Sequence, residues 1–468
     1  MADSLLMSLD ELVQAVKGTV LYASPASKNG FSSVTTDSRK VVTGSLFVAL
    51  PGSTQDGHNY IESAFSSGAA VVLMQEDRIQ DYKDRAVEGA QKQEAAVIAV
   101  PNTLLALQEA AKTYLDKFPR LLRIGITGSS GKTTVKELTA AILRQEKKVI
   151  MNEGNLNSET GLPLSVFSVR AEHQIGVFEM GMNRQGEIAE LAAVLRPHIA
   201  LITNIGTAHI GILGSKDNIA KEKKAIFSQF NGKELGLIPE YDTYADFLAR
   251  DVNGQVKWYG PRSTPLFGGG RNLGLDGIEL LWGGKTIRIA LAGQHNILNA
   301  LAASALAENA GASIEAVYNG LSSVKPLFGR GEIFKGPITL IRDCYNANPE
   351  STIAAIEFCD DLNWSGKRIY VIGSMLELGT DSEAEHRRVA SVLSHSKADV
   401  IFLFGAETEC MQEVLRTNAK AKVWHTTDME LLKKELASAV SEGDLVLLKG
   451  SRGVALERLT DVVKSQGV

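Results

Sequence analysis

The run Thr127-Gly128-Ser129-Ser130-Gly131-Lys132-Thr133-Thr134 is the segment of this chain best suited to chemistry. Small residues let successive backbone N–H groups turn toward phosphate oxygens, and a helix starting at the lysine adds the positive end of its dipole. In such a loop Lys132 reaches the β- and γ-phosphates and the Thr133 hydroxyl faces a magnesium ion, which predicts an ATP or GTP site. The spacing is the short G-x-x-G-K-T form counted from Gly128, because Ile126 stands five before Gly131. A magnesium nucleotide needs further ligands, and neighbouring strand ends should supply them. Glu179, closing an apolar run from Ile175, and His209, in Thr203-Asn204-Ile205-Gly206-Thr207-Ala208-His209, are the candidates. A histidine there can equally serve structure alone, and a carboxylate can simply be solvated.

These residues need a scaffold of buried parallel strands. Around the phosphate loop, Leu121–Thr127, Lys148–Asn152, Ile175–Met180 and Ile199–Ile205 are continuous apolar runs of strand length, and a helix is expected from Lys132. Pro261–Asp276, with Gly268, Gly269, Gly270 and Gly274, reads as a surface loop, followed by a helix near Asn296–Asn309 for which Asn296 is a good N-cap. Upstream, Leu46–Leu50, Ala69–Met74 and Ala95–Val100 read as strands, and a helix over Thr103–Phe118 stops at Pro119. Downstream the pattern alternates. Strands are expected at Ile338–Arg342, Arg368–Gly373, Val400–Phe404, Lys422–Trp424 and Leu445–Leu448, with helices at Thr352–Leu362, Ser382–Ser394, Thr408–Leu415 and Asp428–Val440 and at the C-terminus. Such alternation predicts a doubly wound α/β sheet.

The whole-chain numbers agree. A chain of 468 residues suggests about three domains at ~150 residues each. A net charge of −5 argues against a general nucleic-acid or anionic-membrane binder. The 43 glycines exceed the usual ~7% share, and Gly128, Gly131, Gly161, Gly181 and Gly206 fall in the loops where backbone must approach anions or turn sharply. Cys344, Cys359 and Cys410 lack metal spacing and suit a reduced, cytoplasmic setting. Met1–Glu11, with Asp3, Asp10 and Glu11, does not read as a signal peptide, and no run is long enough to span a membrane.

Taken in order, a larger set of motifs resembles the Mur ligases, the ATP-dependent amide-forming enzymes of peptidoglycan precursor assembly. The first block carries Thr36-Asp37-Ser38-Arg39, Leu46-Phe47 and Asp56-Gly57-His58. The second adds Asn155-x-Asn157, Gly161-x-Pro163, Glu179-Met180-Gly181, Gln185-Gly186-Glu187-Ile188, His209 and Gly293-Gln294-His295-Asn296 to the phosphate loop. The third carries Gly329-Arg330, Asp343-x-Tyr345-Asn346-Ala347-Asn348-Pro349, Glu377-Leu378-Gly379, His386 and Lys449-Gly450-Ser451-Arg452. The resemblance implies three α/β domains. They are a small UDP-binding domain over 1–118, a central P-loop ATPase with a mainly parallel sheet over 119–326, and a Rossmann-like doubly wound domain over 327–468.

It also implies roles. Thr36, Ser38, Arg39, Asp56, Gly57 and His58 would meet the uridine nucleotide, and Asn155, Asn157 and Thr160 the peptide. Asn296 and Asn299 would meet adenine, while Arg330 and Asp343 reach across to the phosphates and ribose. Thr133 and Glu179 would hold one Mg²⁺, and His209 with a carbamylated Lys223 a second; Lys221 and Lys224 stay open by register. Lys132, His209 and Lys223 would then be the catalytic set. Two positions depart from the family pattern, Ala225 and Ser374, each standing where an acid is expected. Within the family the set is most similar to the branch joining D-alanyl-D-alanine to a UDP-N-acetylmuramoyl-tripeptide. Branches adding a single amino acid, and folylpolyglutamate synthases, are the alternatives. A monomer working on small molecules, without nucleic acid or membrane insertion, is the expectation.

Overall fold

The computed structural model describes residues 5–52 and 55–465, so Asp3 lies outside the described residues. The first sheet contains β1 (Thr19–Ala23), β2 (Ser33–Thr35), β3 (Ser45–Val48), β4 (Ala69–Gln75) and β5 (Ala96–Val100), in the order β1-β5-β4-β3-β2. Only β1 is antiparallel to its neighbour. The three runs read as strands are the three central ones, β3 to β5, whose side chains are almost wholly buried because both faces are covered. The following helix is Thr103–Leu115, capped by Asn102, and stops short of the expected Phe118. It is not peripheral. Tyr114 packs its ring 5.2 Å from Phe167 and donates its hydroxyl to the Val169 carbonyl at 2.6 Å, so this helix also covers the second sheet.

That second sheet holds β6 (Leu122–Thr127), β7 (Val149–Met151), β8 (Ile175–Glu179), β9 (Ile199–Ile202), β10 (Leu235–Pro239) and β11 (Gln255–Tyr259). They run in the order β11-β10-β9-β6-β8-β7, all parallel. The phosphate-loop strand β6 lies between β8 and β9, so Glu179 and the segment after Ile202 leave the sheet on either side of it. The expected surface loop at 261–276 is corrected. Phe267–Asn272 is a strand, β12, which pairs antiparallel with β13 (Ile278–Trp282), itself paired with β14 (Lys285–Ile289). Two of its glycines serve packing: a Cβ on Gly268 would lie 2.6 Å from Leu281, and one on Gly270 2.4 Å from Ile297 on the helix His295–Asn309. That helix starts at His295 with Gln294 as N-cap, so Asn296 is not the cap; its amide instead donates to the Ala292 carbonyl at 2.7 Å.

The third sheet runs β15 (Glu332–Phe334), β16 (Thr339–Asp343), β20 (Leu445–Lys449), β17 (Arg368–Gly373), β18 (Val400–Phe404), β19 (Lys422–Thr426). Five strands are parallel, and β15 adds an antiparallel edge that periodicity did not reveal. One face packs on the helices Pro349–Asp361 and Ser382–Leu393, the other on Met429–Ala439, as a doubly wound sheet requires. The Pro349–Asp361 helix begins three residues before the expected Thr352, because Asn348 and Ser351 form a reciprocal capping box with Pro349 in the first turn.

The second and third sheets meet through a backbone-to-backbone contact. A Cβ on Gly211 would sit 2.3 Å from the Gly379 nitrogen, and one on Gly379 would sit 2.6 Å from the Gly211 Cα. Only glycine fits on either side. Gly211→Ala is therefore expected to push the two units apart, read as a larger radius of gyration in solution scattering with an unchanged circular dichroism spectrum. An unchanged radius would show that the surrounding loops give way instead.

Candidate active site

The phosphate loop joins β6 to the helix Lys132–Leu143, and two of its glycines are obligatory. Gly128 (φ 149°) faces the Thr203 hydroxyl, where a Cβ would sit 1.8 Å away, and Gly131 (φ 78°) leaves no room for one beside Asn299. The segment after β9 clamps the loop. Asn204 accepts the N–H groups of Ser129 and Ser130 through its carbonyl and side-chain oxygens at 3.0 Å each, and Thr203 donates to the Ser130 carbonyl at 2.6 Å. This explains why the expected strand Ile199–Ile205 ends at Ile202: the next residues are needed to hold the loop.

Glu179 lies at the loop's mouth. Its carboxylate accepts the Thr133 hydroxyl at 2.7 Å and the Asn157 amide at 2.7 Å, while Asn152 bonds its backbone on both sides. Lys132 folds back so that its ammonium donates to the Gly128 carbonyl at 2.8 Å. Burial lowers the Lys132 pKa, with Glu179 opposing and the Arg330 charge reinforcing the shift. Of the three lysines in Lys221-Glu222-Lys223-Lys224, Lys221 is exposed and Lys224 donates to the Phe247 and Arg250 carbonyls. Lys223 is the buried one, 1% exposed, and burial with the adjoining Lys132 charge pushes it well below the ordinary lysine range. His209, at φ 65°, is held neutral mainly by burial, against the opposing pull of Glu377. Its Nδ1 lies 3.2 Å from the Glu377 carboxylate but is too poorly aligned for a hydrogen bond, and this buried atom has no other partner among the described residues. Glu377 is itself at φ 67°, so two left-handed residues face each other across the gap between the sheets.

A cavity of about 820 Å³ gathers most of the expected residues. It is lined by Ser129 to Thr134, Asn155, Asn157, Glu179 and His209 from the second unit, with Asn296 and Asn299 from its helix. Arg330, Asp343 and Glu377 come from the third. Arg330 stacks 4.1 Å over the Tyr345 ring, and Asp343 pairs with the buried Lys449 at 2.8 Å. Asn299 donates to the Asn296 side-chain oxygen at 2.9 Å, which orients both amides. Gly128, Lys223 and Thr160 do not line it. Sequence reasoning missed three members. Glu350 accepts the Thr207 hydroxyl at 2.8 Å across the two units, and Tyr241 and Tyr259 close one end. Tyr259 ends a strand and Glu350 follows the Asn348-Pro349 cap, but neither position advertises a role without the sheet order.

The uridine-site candidates form a separate group that does not touch this cavity. Thr36–Arg39 and the segment before Gly57 leave the carboxyl ends of the neighbouring parallel strands β2 and β3. Arg39 makes a double contact with Asp37, whose pKa falls to about 2, and the guanidinium remains open to solvent. Asp56 caps the short turn Gly57–Tyr60. His58 is different in kind. Its Nδ1 donates to Asp56 at 2.6 Å and its Nε2 accepts the Gln75 N–H at 2.9 Å, so both nitrogens are spent inside the fold and the ring props the loop. The two departures are local. Ala225 opens a short turn, and Ser374 is buried beside Gly405 at the end of β17.

The donor set bears on metal binding. Thr133 and Glu179 offer oxygens 2.7 Å apart, and among the described residues no group of three His, Cys, Asp or Glu could cage an ion. Mg²⁺ is commonly held by one or two protein oxygens plus phosphates, so these residues fit it once a nucleotide supplies the rest.

A phosphate-loop sheet facing a second doubly wound sheet across a cleft with buried lysines defines a nucleotide-dependent group-transfer enzyme. Comparison narrows the class. The family models "Mur ligase family, catalytic domain", "Mur ligase middle domain" and "Mur ligase, glutamate ligase domain" match residues 31–115, 126–307 and 329–452. The chain is 42% identical to the UDP-N-acetylmuramoyl-tripeptide--D-alanyl-D-alanine ligase of Treponema pallidum, covering 99% of this chain and 100% of that one. A crystal structure of MurF from Acinetobacter baumannii is 30% identical, with a TM-score of 0.85 over 98% of each chain. The MurF ligase of Thermotoga maritima in complex with ADP is 27% identical, with a TM-score of 0.78 over 93% of this chain and 97% of that one. The chain belongs to the Mur ligase family. No helix among the described residues is long and apolar enough to cross a membrane.

His58→Ala would leave the Gln75 N–H and Asp56 without their partner and open a void. A loss of about 3 kcal/mol in stability is expected in denaturant unfolding.

Proposed function

We propose that this enzyme joins D-alanyl-D-alanine to a UDP-N-acetylmuramoyl-tripeptide, consuming ATP and releasing ADP and phosphate. The observation that carries the reading is the single cleft in which the phosphate loop, Glu179, His209 and Glu377 converge between two units, in a chain alike over its full length to ligases of that name. Residues 1–118 would hold the uridine nucleotide through Thr36, Ser38 and Arg39, with Asp56, Gly57 and His58 shaping the loop beside them. Residues 119–326 would hold ATP and 327–468 the incoming dipeptide.

A carboxylate is a poor acyl donor because oxide leaves badly. The peptide carboxylate oxygen therefore attacks the γ-phosphorus, an O–P bond forms, the β,γ-bridging bond breaks, and ADP departs. The amine nitrogen of the dipeptide then attacks the acyl carbon, the C–O bond to phosphate breaks, and the ammonium proton passes to solvent. Two anions must meet in the first step, so positive charge has to stand between them. Lys132 provides it from the mouth of the loop, Arg330 from the opposite unit, and the backbone N–H groups from Gly131 into the first turn of the helix would cradle the phosphates. Asn155, Asn157 and Thr160 would guide the peptide toward them. Asn296 and Asn299, with mutually fixed amides, would meet the adenine edge, and Asp343 the ribose. Thr133 with Glu179, and His209 with a carbamate on Lys223, would hold two Mg²⁺ ions, which when bound neutralise phosphate and acyl oxygens. Burial favours the neutral Lys223 amine. Its nitrogen adds to CO₂ and releases one proton, turning the neutral amine into an anion beside cations. Contact of the third unit through Glu377 and Glu350 would exclude water from the acyl phosphate.

Phosphate release with a matrix of UDP-muramoyl peptides and amine donors tests the activity. Turnover with the tripeptide precursor and D-Ala-D-Ala is expected, and turnover only with a dipeptide precursor and a single amino acid would refute it. Lys223→Ala should lower turnover on the order of 10²–10³-fold, with partial recovery in added short-chain carboxylate. Wild-type rates in that variant would remove Lys223 from the chemistry.

A further inference from the structure

One buried carboxylate has no place in the scheme above. Glu222 is 6% exposed and directly precedes Lys223 on the helix Lys216–Lys224. Its Oε2 accepts the Gly186 N–H and its Oε1 the Ile188 N–H, both at 2.8 Å. These are the N-cap and second residue of the helix Glu187–Leu195, whose N-cap is a glycine at φ 87° with no side chain of its own to offer. Glu222 therefore caps a helix that is not its own, where a carboxylate is favoured both by the orphan N–H groups and by the helix dipole. The two bonds also stop the Lys216–Lys224 helix from turning about its axis at the residue beside Lys223. Since successive helical residues point ~100° apart, fixing one azimuth fixes the next.

The clamp continues toward the cleft. Glu187, the first residue of the capped helix, is also buried and accepts the Glu159 N–H at 3.0 Å and the Asn183 N–H at 2.5 Å. Asn183 lines the cavity, and Glu159 lies two residues beyond Asn157, which holds Glu179. One helix N-terminus thus ties the Lys223 helix to the strand-end loops that carry Asn157 and Asn183.

We infer that Glu222 is a positioning residue for the ligation reaction, setting the Lys223 side chain against the Glu179 and Asn157 side of the cleft through its paired bonds to Gly186 and Ile188. The inference rests on the proposed role of Lys223 at the second metal site. In that reading the carbamate on Lys223 would meet the metal ion, and Glu222 acts only through it.

Glu222→Gln tests this, because an amide nitrogen cannot accept and would turn one bond into donor against donor. Outer-sphere partners of metal sites commonly contribute 10- to 100-fold to activity. The variant is expected to lose about that much in kcat, with little change in KM for ATP and a weakened lysine-carbamate resonance under ¹³CO₂. Glu222→Asp, which keeps the charge but retracts it, should fall between the variant and the wild type. A folded Glu222→Gln enzyme with wild-type kcat and an undiminished carbamate signal overturns the inference. Loss of a cooperative melt in both variants overturns it too, since Glu222 would then be holding the fold and not Lys223. If the wild-type protein itself gives no carbamate resonance, the reading of Lys223 fails separately. Glu222 is then judged by whether kcat falls without KM.

Discussion

Burial pushes both Lys132 and Lys223 toward the neutral form, the Lys132 charge adds to that push on Lys223, and much of the central unit is arranged around this conflict. The site needs positive charge to bring two anions together, but two buried ammonium groups side by side are too costly to keep. The structure answers by giving them different surroundings. Lys132 sits at the helix start with Glu179 nearby and the Gly128 carbonyl under its ammonium. Lys223 is buried and has no hydrogen-bonding partner among the described residues, which favours its neutral form and so the chemistry a neutral amine can undergo.

The same conflict explains why the site spans two units. Arg330 adds positive charge from the third sheet, and Glu377 brings a carboxylate to His209, so the electrostatic balance is complete only when the units touch. The Gly211–Gly379 contact lets them touch at backbone distance. His209 and Glu377 both take left-handed backbone conformations, a local cost of about 1–3 kcal/mol each that persists only where packing enforces it. That strain lies at the seam where the reaction must be shielded from water.

Carboxylates do two kinds of work here, and their hydrogen-bond partners, not their burial, separate them. Glu179 faces the cavity, bonded by Thr133 and Asn157, with its remaining lone pairs toward the nucleotide side. Glu222 and Glu187 are turned inward onto backbone N–H groups and have nothing left to offer a ligand. The net charge of −5 says nothing of this division. Anion capture depends on where a few cations stand, not on the sum over the chain.

Much of the fold was legible because its signals are local. Apolar runs of strand length, the glycine–lysine–threonine loop and the βα alternation each depend on residues near in sequence, so the phosphate loop and the three-unit α/β plan could be read directly. Glu179 was legible for a similar reason, as the polar residue ending a buried strand. The rest depended on what tertiary packing brings together. Gly268–Gly270 reads as a loop until Leu281 on β13 and Ile297 on the following helix show why Gly268 and Gly270 carry no side chain. His58 looks like a ligand until both ring nitrogens prove to be spent inside the fold. Among three lysines in four residues, composition cannot say which one is buried. The helix phase set by Glu222 on a distant N-terminus decides it. Sequence by itself determined which chemistry was available, since residue type and local spacing carry that information. Only the tertiary structure decided which groups are charged, which are spent, and which meet, because burial and long-range contact set those energies.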